Sequence, residues 1–200
     1  MKLYLIRHGF AYHNLGYEQV GNQAFDDPKY MDAHLTPLGE QQSRDAGKKL
    51  INVKFNRIYC SPLVRCIQTL DNLLTTSHVI MDTIFTAPKN EFIVLDDRLL
   101  EFQNHICNKR HEKVEIEKYI ARYNKKFDLS NVELNYYFQK ESDNNIKNRI
   151  RSFILDLKRI HTNNENILII THYDWLNNFF EITTGKGYFF NNCEIKVVSL

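Results

Sequence analysis

The sequence lacks any long apolar run. Its longest, Phe92–Leu95 and Ile167–Ile170, fall far short of the roughly 20 residues a membrane helix needs. Behind Lys2 only Leu3–Ile6 is apolar, too short for the core of a secretory signal, which runs to about 7 to 15 residues. The chain is therefore expected to be cytoplasmic. Cysteine is sparse: Cys60, Cys66, Cys107 and Cys193 include no C-x-x-C pair and read as reduced thiols. His105, Cys107 and His111 do not make the two tight ligand pairs of a structural zinc site, so no metal is expected. Charge of one sign is not in excess either, at a formal +2. Binding to nucleic acid or to a membrane surface would need a local patch, and neither is expected as a partner. No Pro/Gly/Ser-rich linker and no internal repeat divides the chain, so a second domain is not supported.

What is present fits one packed domain. Hydrophobic residues at 43% and charged residues at 25% match average globular usage. A chain of 200 residues can bury about 70% of its unfolded surface in one core. Lys2–Ile6 reads as a buried strand running into Arg7, His8 and Gly9, and residues 10–34 follow as a long loop without sustained periodicity. Thr36-Pro37 is a helix start, with Leu38, Gln42, Ala46 and Leu50 at helical spacing behind it. Arg57–Cys60 is the next strand, and Ser61-Pro62 leads into a helix with Leu63, Ile67, Leu70 and Leu74 on one face. Phe92–Leu95 is a strand; Ile146, Ile150, Phe153, Ile154, Leu157 and Ile160 mark an amphipathic helix. Asn166–Ile170, Tyr173–Ile182 and Glu194–Val198 close the chain as strand, helix and strand. This alternation predicts an α/β fold, a three-layer α/β/α sandwich around a mostly parallel central sheet. Residues 101–145 show no strand signal and read as a helical, lid-like insertion, including a helix at Lys113–Tyr123.

In an open parallel sheet, ligands gather outside the carboxyl ends of the strands. Those ends here deliver Arg7 and His8, then Ser61 and Arg65, then Glu101, then Thr171 and His172. Two histidines, two arginines and one carboxylate suit a phosphoryl group. A phosphate ester is nearly a dianion, and guanidinium groups grip its oxygens bidentately. The same cations lower the pKa of His8 and keep its imidazole neutral and nucleophilic. Glu101, its own pKa raised by a facing phosphate, can protonate the leaving oxygen and afterwards activate water. Ser61 reads as a helix cap beside the site.

Four separated segments, taken together, resemble the histidine phosphatase superfamily, the phosphoglycerate mutase-like fold. They are Arg7-His8-Gly9 with Asn14; Leu35-Thr36-Pro37-Leu38-Gly39-Glu40 with Gln42; Ser61-Pro62-Leu63 with Arg65, Gln68 and Thr69; and Thr171-His172. A lone R-H-G is a weak signal, whereas four motifs in order are specific. The resemblance implies that His8 is phosphorylated, that Arg7, Arg65 and His172 bind the phosphoryl group, and that Asn14 assists. It implies no metal and no organic cofactor. The family acid maps onto Glu101, with Glu91, Asp96 and Asp97 as neighbouring competitors. Local patterns, including Asp32-Ala33-His34-Leu35-Thr36 and Cys107-Asn108-Lys109-Arg110, resemble the plant and fungal phosphoglycerate mutase-like branch.

The substrate side is less legible. Glycolytic mutases of the family carry Gly-Glu-Ser after the histidine, where this chain has Gly9-Phe10-Ala11. Hydrolysis through a phosphohistidine is thus favoured over phosphotransfer by a mutase, and the full set Arg7, His8, Arg65 and His172 argues against a catalytically silent phosphate-binding module, which need not retain a nucleophile. The substrate would be a phosphorylated small molecule or a phosphoprotein. The insertion is locally basic at Lys109, Arg110, Lys113, Lys118, Arg122, Lys125 and Lys126, offset by Glu112, Glu115 and Glu117. It reads as a solvated helix face or as a subsite for a second anion. Its aromatics, Phe102, Tyr119, Tyr123, Phe127, Tyr136 and Tyr137, either anchor the insertion to the core or line an apolar pocket.

Overall fold

A computed structural model describes residues 1–76, 93–123 and 125–200. Glu91 and the start of the Phe92–Leu95 strand lie outside the described residues. The elements run β1 (Lys2–Arg7), α1 (Tyr12–Val20), α2 (Pro37–Lys49), β2 (Arg57–Cys60), α3 (Val64–Thr76), β3 (Ile93–Asp96), α4 (Lys113–Ile120), β4 (Phe127–Asn131), α5 (Asp143–Ile160), β5 (Asn166–Thr171), α6 (Tyr173–Thr184) and β6 (Ile195–Ser199). The strands form one six-stranded sheet in the order β4-β3-β2-β5-β1-β6. All neighbours pair in parallel except β1 and β6, which are antiparallel. The mostly parallel three-layer α/β sandwich expected from the alternation is therefore what forms.

The period-two side-chain alternation of strands explains the layers. Ile6 of β1, Ile58 and Cys60 of β2, and Leu168 and Ile170 of β5 share one core with Ala46 of α2, Ile67, Leu70 and Leu73 of α3, and Ile116 of α4. Leu3, Leu5, Tyr59, Val94, Ile167 and Ile169 point the other way, onto Ile150, Phe153 and Leu157 of α5 and Trp175, Leu176 and Phe179 of α6. Strands buried on both faces read as continuous apolar runs, which is why they were visible in the sequence. Each such side chain contributes about 1.5–3 kcal/mol by leaving water.

Two expectations fail. Residues 10–34 are not a plain loop: they hold α1 and two short 3-10 turns, Gly21–Asp26 and Pro28–Tyr30. Helix α1 buries only His13 and Gly16, so it has no apolar stripe to detect. Its start is held locally by the Asn14 side chain, which accepts the Ala11 N–H at 3.0 Å. Residues 101–145 are not purely helical either. Strand β4 lies within them and pairs with β3, and the helix there stops at Ile120. As an edge strand of sequence Phe-Asp-Leu-Ser-Asn with both faces partly exposed, β4 lacks the alternation that reveals a strand.

Helices α2 and α3 meet closely at Gly47, where a β-carbon would lie 2.5 Å from the Leu73 carbonyl oxygen. Replacing a helical glycine by alanine gains about 0.5–1 kcal/mol in backbone terms, whereas overpacking against fixed backbone costs about 1–3 kcal/mol. The second effect dominates. Gly47→Ala is expected to lower the urea midpoint of unfolding; an unchanged or raised midpoint would show that the two helices can separate at no cost.

Candidate active site

The sheet register gathers the strand ends. Arg7 of β1 is level with Thr171 of β5, and Cys60 of β2 is level with Ile170 of β5. The next residues, His8, Ser61 and His172, thus leave three adjacent strands side by side. The His8 N–H extends the ladder by donating to the Thr171 carbonyl at 3.0 Å, and the Ser61 N–H donates to the Ile170 carbonyl at 3.0 Å. The His8 and His172 ring centroids lie 5.2 Å apart.

The loop that follows β1 is held from every side by the other sequence motifs. The Gly9 N–H donates to Thr69 Oγ1 at 2.9 Å, and that hydroxyl donates to the Arg65 carbonyl at 2.7 Å. The Phe10 N–H donates to Gln42 Oε1 at 2.9 Å, and Thr36 Oγ1 donates to the Phe10 carbonyl at 2.9 Å. Gln68 Oε1 accepts the Leu35 N–H at 2.7 Å. Gly9 and Gly39 pack backbone to backbone: a β-carbon on Gly39 would meet the Phe10 carbonyl oxygen at 2.1 Å, and one on Gly9 the Gly39 carbonyl oxygen at 2.5 Å. The Thr36, Gly39, Gln42, Gln68 and Thr69 positions are thus scaffolding for residues 8–10.

The consequence falls on the His8 ring. Its Nδ1 lies 2.8 Å from the Gly9 carbonyl oxygen. A carbonyl can only accept, so Nδ1 carries the proton and Nε2 keeps its lone pair. Burial first, then the positive charges of Arg65 and Arg7, hold the imidazole well below its ordinary pKa. His172 is held neutral in the same way by burial and Arg65. Its Nε2 lies 2.8 Å from Ser61 Oγ, so Ser61 orients a histidine as well as receiving the Leu63 N–H at 3.4 Å.

One cavity of about 170 Å³ is lined by Arg7, His8, His13, Asn14, Phe25, Arg65, Glu101, Asn104, His105, Cys107, Asn108, Tyr173 and Asp174. Arg65 is fully buried, donating from one terminal nitrogen to the Cys107 carbonyl and from the other to Asn108 Oδ1, both at 3.0 Å. Arg7 donates to the Phe190 carbonyl at 2.8 Å, and its guanidinium lies 5.2 Å from the Tyr173 ring centre. Burial lowers its pKa from the ordinary value. No lysine and no third arginine lines the cavity among the described residues.

Glu101 supplies the carboxyl group. Its Oε1 accepts the N–H groups of Phe102 at 2.9 Å and Trp175 at 3.1 Å, and its Oε2 that of Asp174 at 3.2 Å. Burial, joined by the negative charge of Asp174, nevertheless pushes its pKa up to about 7. Burial raises the Asp174 carboxyl as well. The competitors Asp96 and Asp97 are engaged elsewhere, Asp96 with Arg98 at 2.7 Å and Asp97 with Arg110 at 2.8 Å.

Arg7, His8, Asn14, Arg65 and Glu101, drawn from three distant segments, therefore share one cavity, with His172 of a fourth against the His8 ring. Asn14 spends its carbonyl oxygen on Ala11, which leaves its amide NH₂ for the cavity it lines. The basic insertion does not supply an anion subsite at Arg110. That side chain is buried, donates to Asp97 and to the His111 and Glu133 carbonyls, and lies 4.0 Å from the Tyr136 ring centre. None of the six insertion aromatics lines the cavity; Tyr119, Tyr123 and Phe127 pack on the core instead. His105 pairs with Asp26 at 3.0 Å and His111 lies 3.4 Å from Glu115, so these two face different partners. His13, Phe25, Asn104, His105, Asn108, Tyr173 and Asp174 were not anticipated as site residues. Tyr173 and Asp174 could have been found, since they open the helix directly after His172. The rest arrive from segments that gave no periodic signal.

The comparisons agree with this geometry. A family model described as "Histidine phosphatase superfamily (branch 1)" matches residues 3–197. A Hydrogenobacter thermophilus protein named "Putative phosphoserine phosphatase 2" is 29% identical over 186 residues, which cover 93% of this chain and 80% of that one. The crystal structure of ecdysone phosphate phosphatase, EPPase, from Bombix mori in complex with tungstate matches with a TM-score of 0.64 at 15% identity, over 98% of this chain and 88% of that chain. Phosphoglycerate mutase from Bacillus anthracis str. Sterne matches with a TM-score of 0.63 at 16% identity, over 98% and 86%. These two structures share the fold but not the reaction, so fold alone does not choose between hydrolysis and mutation. A family model that spans nearly the entire sequence, together with a cavity lined by Arg7, His8, Asn14 and Arg65, with His172 against the His8 ring and Thr36 and Gln42 bracing the loop after His8, establishes that this chain belongs to the histidine phosphatase superfamily.

Proposed function

We propose that the protein is a phosphomonoesterase that works through a phosphohistidine at His8 without a metal ion. The observation that carries this is the hydrogen bond from His8 Nδ1 to the Gly9 carbonyl, which leaves an unprotonated Nε2 in a cavity with two guanidiniums and a carboxyl group titrating near pH 7. In the first step the Nε2 lone pair attacks phosphorus, the ester P–O bond breaks, and the Glu101 carboxyl proton passes to the leaving oxygen. Arg7 and Arg65 bear the charge of the transferred group; positioned arginines can be worth about 10³–10⁵ in rate. In the second step the Glu101 carboxylate takes a proton from water, the water oxygen attacks phosphorus, and the P–N bond electrons return to Nε2. Inorganic phosphate leaves.

Two observations favour hydrolysis of a singly phosphorylated substrate over mutation of a phosphorylated sugar acid. The cavity offers no cation beyond Arg7 and Arg65 among the described residues, so a second anionic group finds no partner there. The acidic residues that line it, Asp174 and Glu101, offer no attraction to such a group either. The relative named for phosphoserine phosphatase supports the same reaction class. The cavity admits a small phosphate ester or the modified side chain of a phosphoprotein. Four buried unpaired thiols support a reducing, cytoplasmic setting.

Turnover of p-nitrophenyl phosphate is expected in the presence of EDTA, and His8→Ala is expected to lower it by at least about 10³-fold. Loss of activity in EDTA, or full activity in the alanine variant, would refute the mechanism. Under the same assay 3-phosphoglycerate is expected to be a poor substrate for hydrolysis and to yield no phosphorylated isomer. Formation of the isomer would establish the mutase reading instead.

The acid step has its own signature. Glu101 is protonated below its pKa of about 7 and loses that proton as pH rises, so kcat/KM for an alkyl phosphate, whose leaving oxygen needs a proton, is expected to fall above about pH 7. In kcat/KM, which reports phosphoryl transfer and not the shared hydrolysis of the phosphohistidine, Glu101→Gln should cost such substrates about 10²–10⁴-fold and p-nitrophenyl phosphate far less. Equal losses on both substrates would remove Glu101 from the acid role.

A further inference from the structure

We infer that His13 is a further substrate contact, an imidazole that hydrogen-bonds an oxygen of the phosphoryl group beside His8. Among the described residues, three buried side-chain nitrogens have no hydrogen-bond partner: Arg7 Nε, Arg65 Nε and His13 Nδ1. All three side chains line the same cavity. A buried polar group left unpaired costs about 1–3 kcal/mol, and natural proteins keep few of them without a reason. Two of the three belong to the arginines assigned to the phosphoryl group. The third marks His13 as part of the same set.

Its surroundings specify the ligand chemistry. The His13 ring is 5% exposed, with its centroid 5.5 Å from that of His8 and 6.2 Å from that of Phe25. Burial, then the charges of Arg65 and Arg7, hold it neutral, so it sits within electrostatic reach of both guanidiniums. A neutral imidazole keeps one N–H donor, and a tetrahedral oxyanion between those cations presents acceptors to it. Were the ring only a packing element against Phe25, an apolar side chain would fill the space without burying an unpaired nitrogen. Helix α1, which buries little else, then has a purpose: it carries His13 and Asn14 to the cavity.

The inference rests on reading the cavity as a phosphoryl site, and tungstate binding separates the two claims. Calorimetric titration of the wild-type chain with tungstate is expected to show binding; its absence would overturn both. His13→Ala and His13→Phe are expected to weaken tungstate binding by about 10- to 100-fold, the range of one hydrogen bond to a charged group. His13→Gln, whose amide can donate, should recover part of the loss. Because the His13 ring shows no hydrogen bond to the protein among the described residues, His13→Phe is also expected to leave the urea midpoint unchanged or raised. Folded variants binding tungstate within twofold of wild type would overturn the role of His13 alone. If the variants do not fold, the ¹⁵N resonances of His13 in the wild-type chain decide: displacement by tungstate supports the contact, and no change refutes it.

Discussion

The chemistry proposed for this molecule depends on which nitrogen of one ring holds a proton. The Gly9 carbonyl, 2.8 Å from His8 Nδ1, has no hydrogen to give, so it dictates the tautomer and leaves the nucleophilic lone pair on Nε2. That carbonyl stays in place because the backbone around it is pinned: the Gly9 N–H by Thr69, the Phe10 N–H by Gln42, the Phe10 carbonyl by Thr36. These partners come from α2, α3 and the cap of α2, so two helices and a strand must pack correctly before the imidazole is oriented. Gly9 and Gly39 permit the approach, because side chains on either would collide with backbone.

Electrostatics completes what geometry begins. His8, His13 and His172 are buried beside Arg7 and Arg65, and every one is driven toward its uncharged form. Glu101 is driven the same way, because burial and Asp174 outweigh its three backbone hydrogen bonds. The cavity therefore holds two fixed positive charges and groups driven toward their uncharged forms. In the proposed reaction, a dianion entering between the guanidiniums would reverse the local field, favouring proton donors where the free protein disfavours charge. Such preorganisation lowers the cost of reorganising dipoles during reaction.

Most of this frame was legible in the sequence because its buried strands are short apolar runs that end in polar, chemistry-bearing residues. Arg7-His8, Ser61 with Arg65, and Thr171-His172 could be placed at one sheet edge from pattern alone. What escaped had a different physical basis. Helix α1 buries a histidine and a glycine in place of a stripe of leucines, so periodicity is silent about it. Strand β4 is a half-exposed edge. Arg65 is gripped by the Cys107 carbonyl, and a backbone acceptor leaves no trace in residue identity. Arg110 looked like a surface cation in a basic stretch, yet Asp97 and Tyr136 enclose it; only the tertiary fold brings those partners to it.

The most direct measurement of the central claim is to trap the enzyme during turnover. Rapid quenching with alkali during hydrolysis of ³²P-labelled p-nitrophenyl phosphate should yield a covalently labelled chain, stable to base and labile to acid, with the label mapping to Nε2 of His8. Turnover in which no labelled chain accumulates under any quench, or label carried on a serine, would contradict the account.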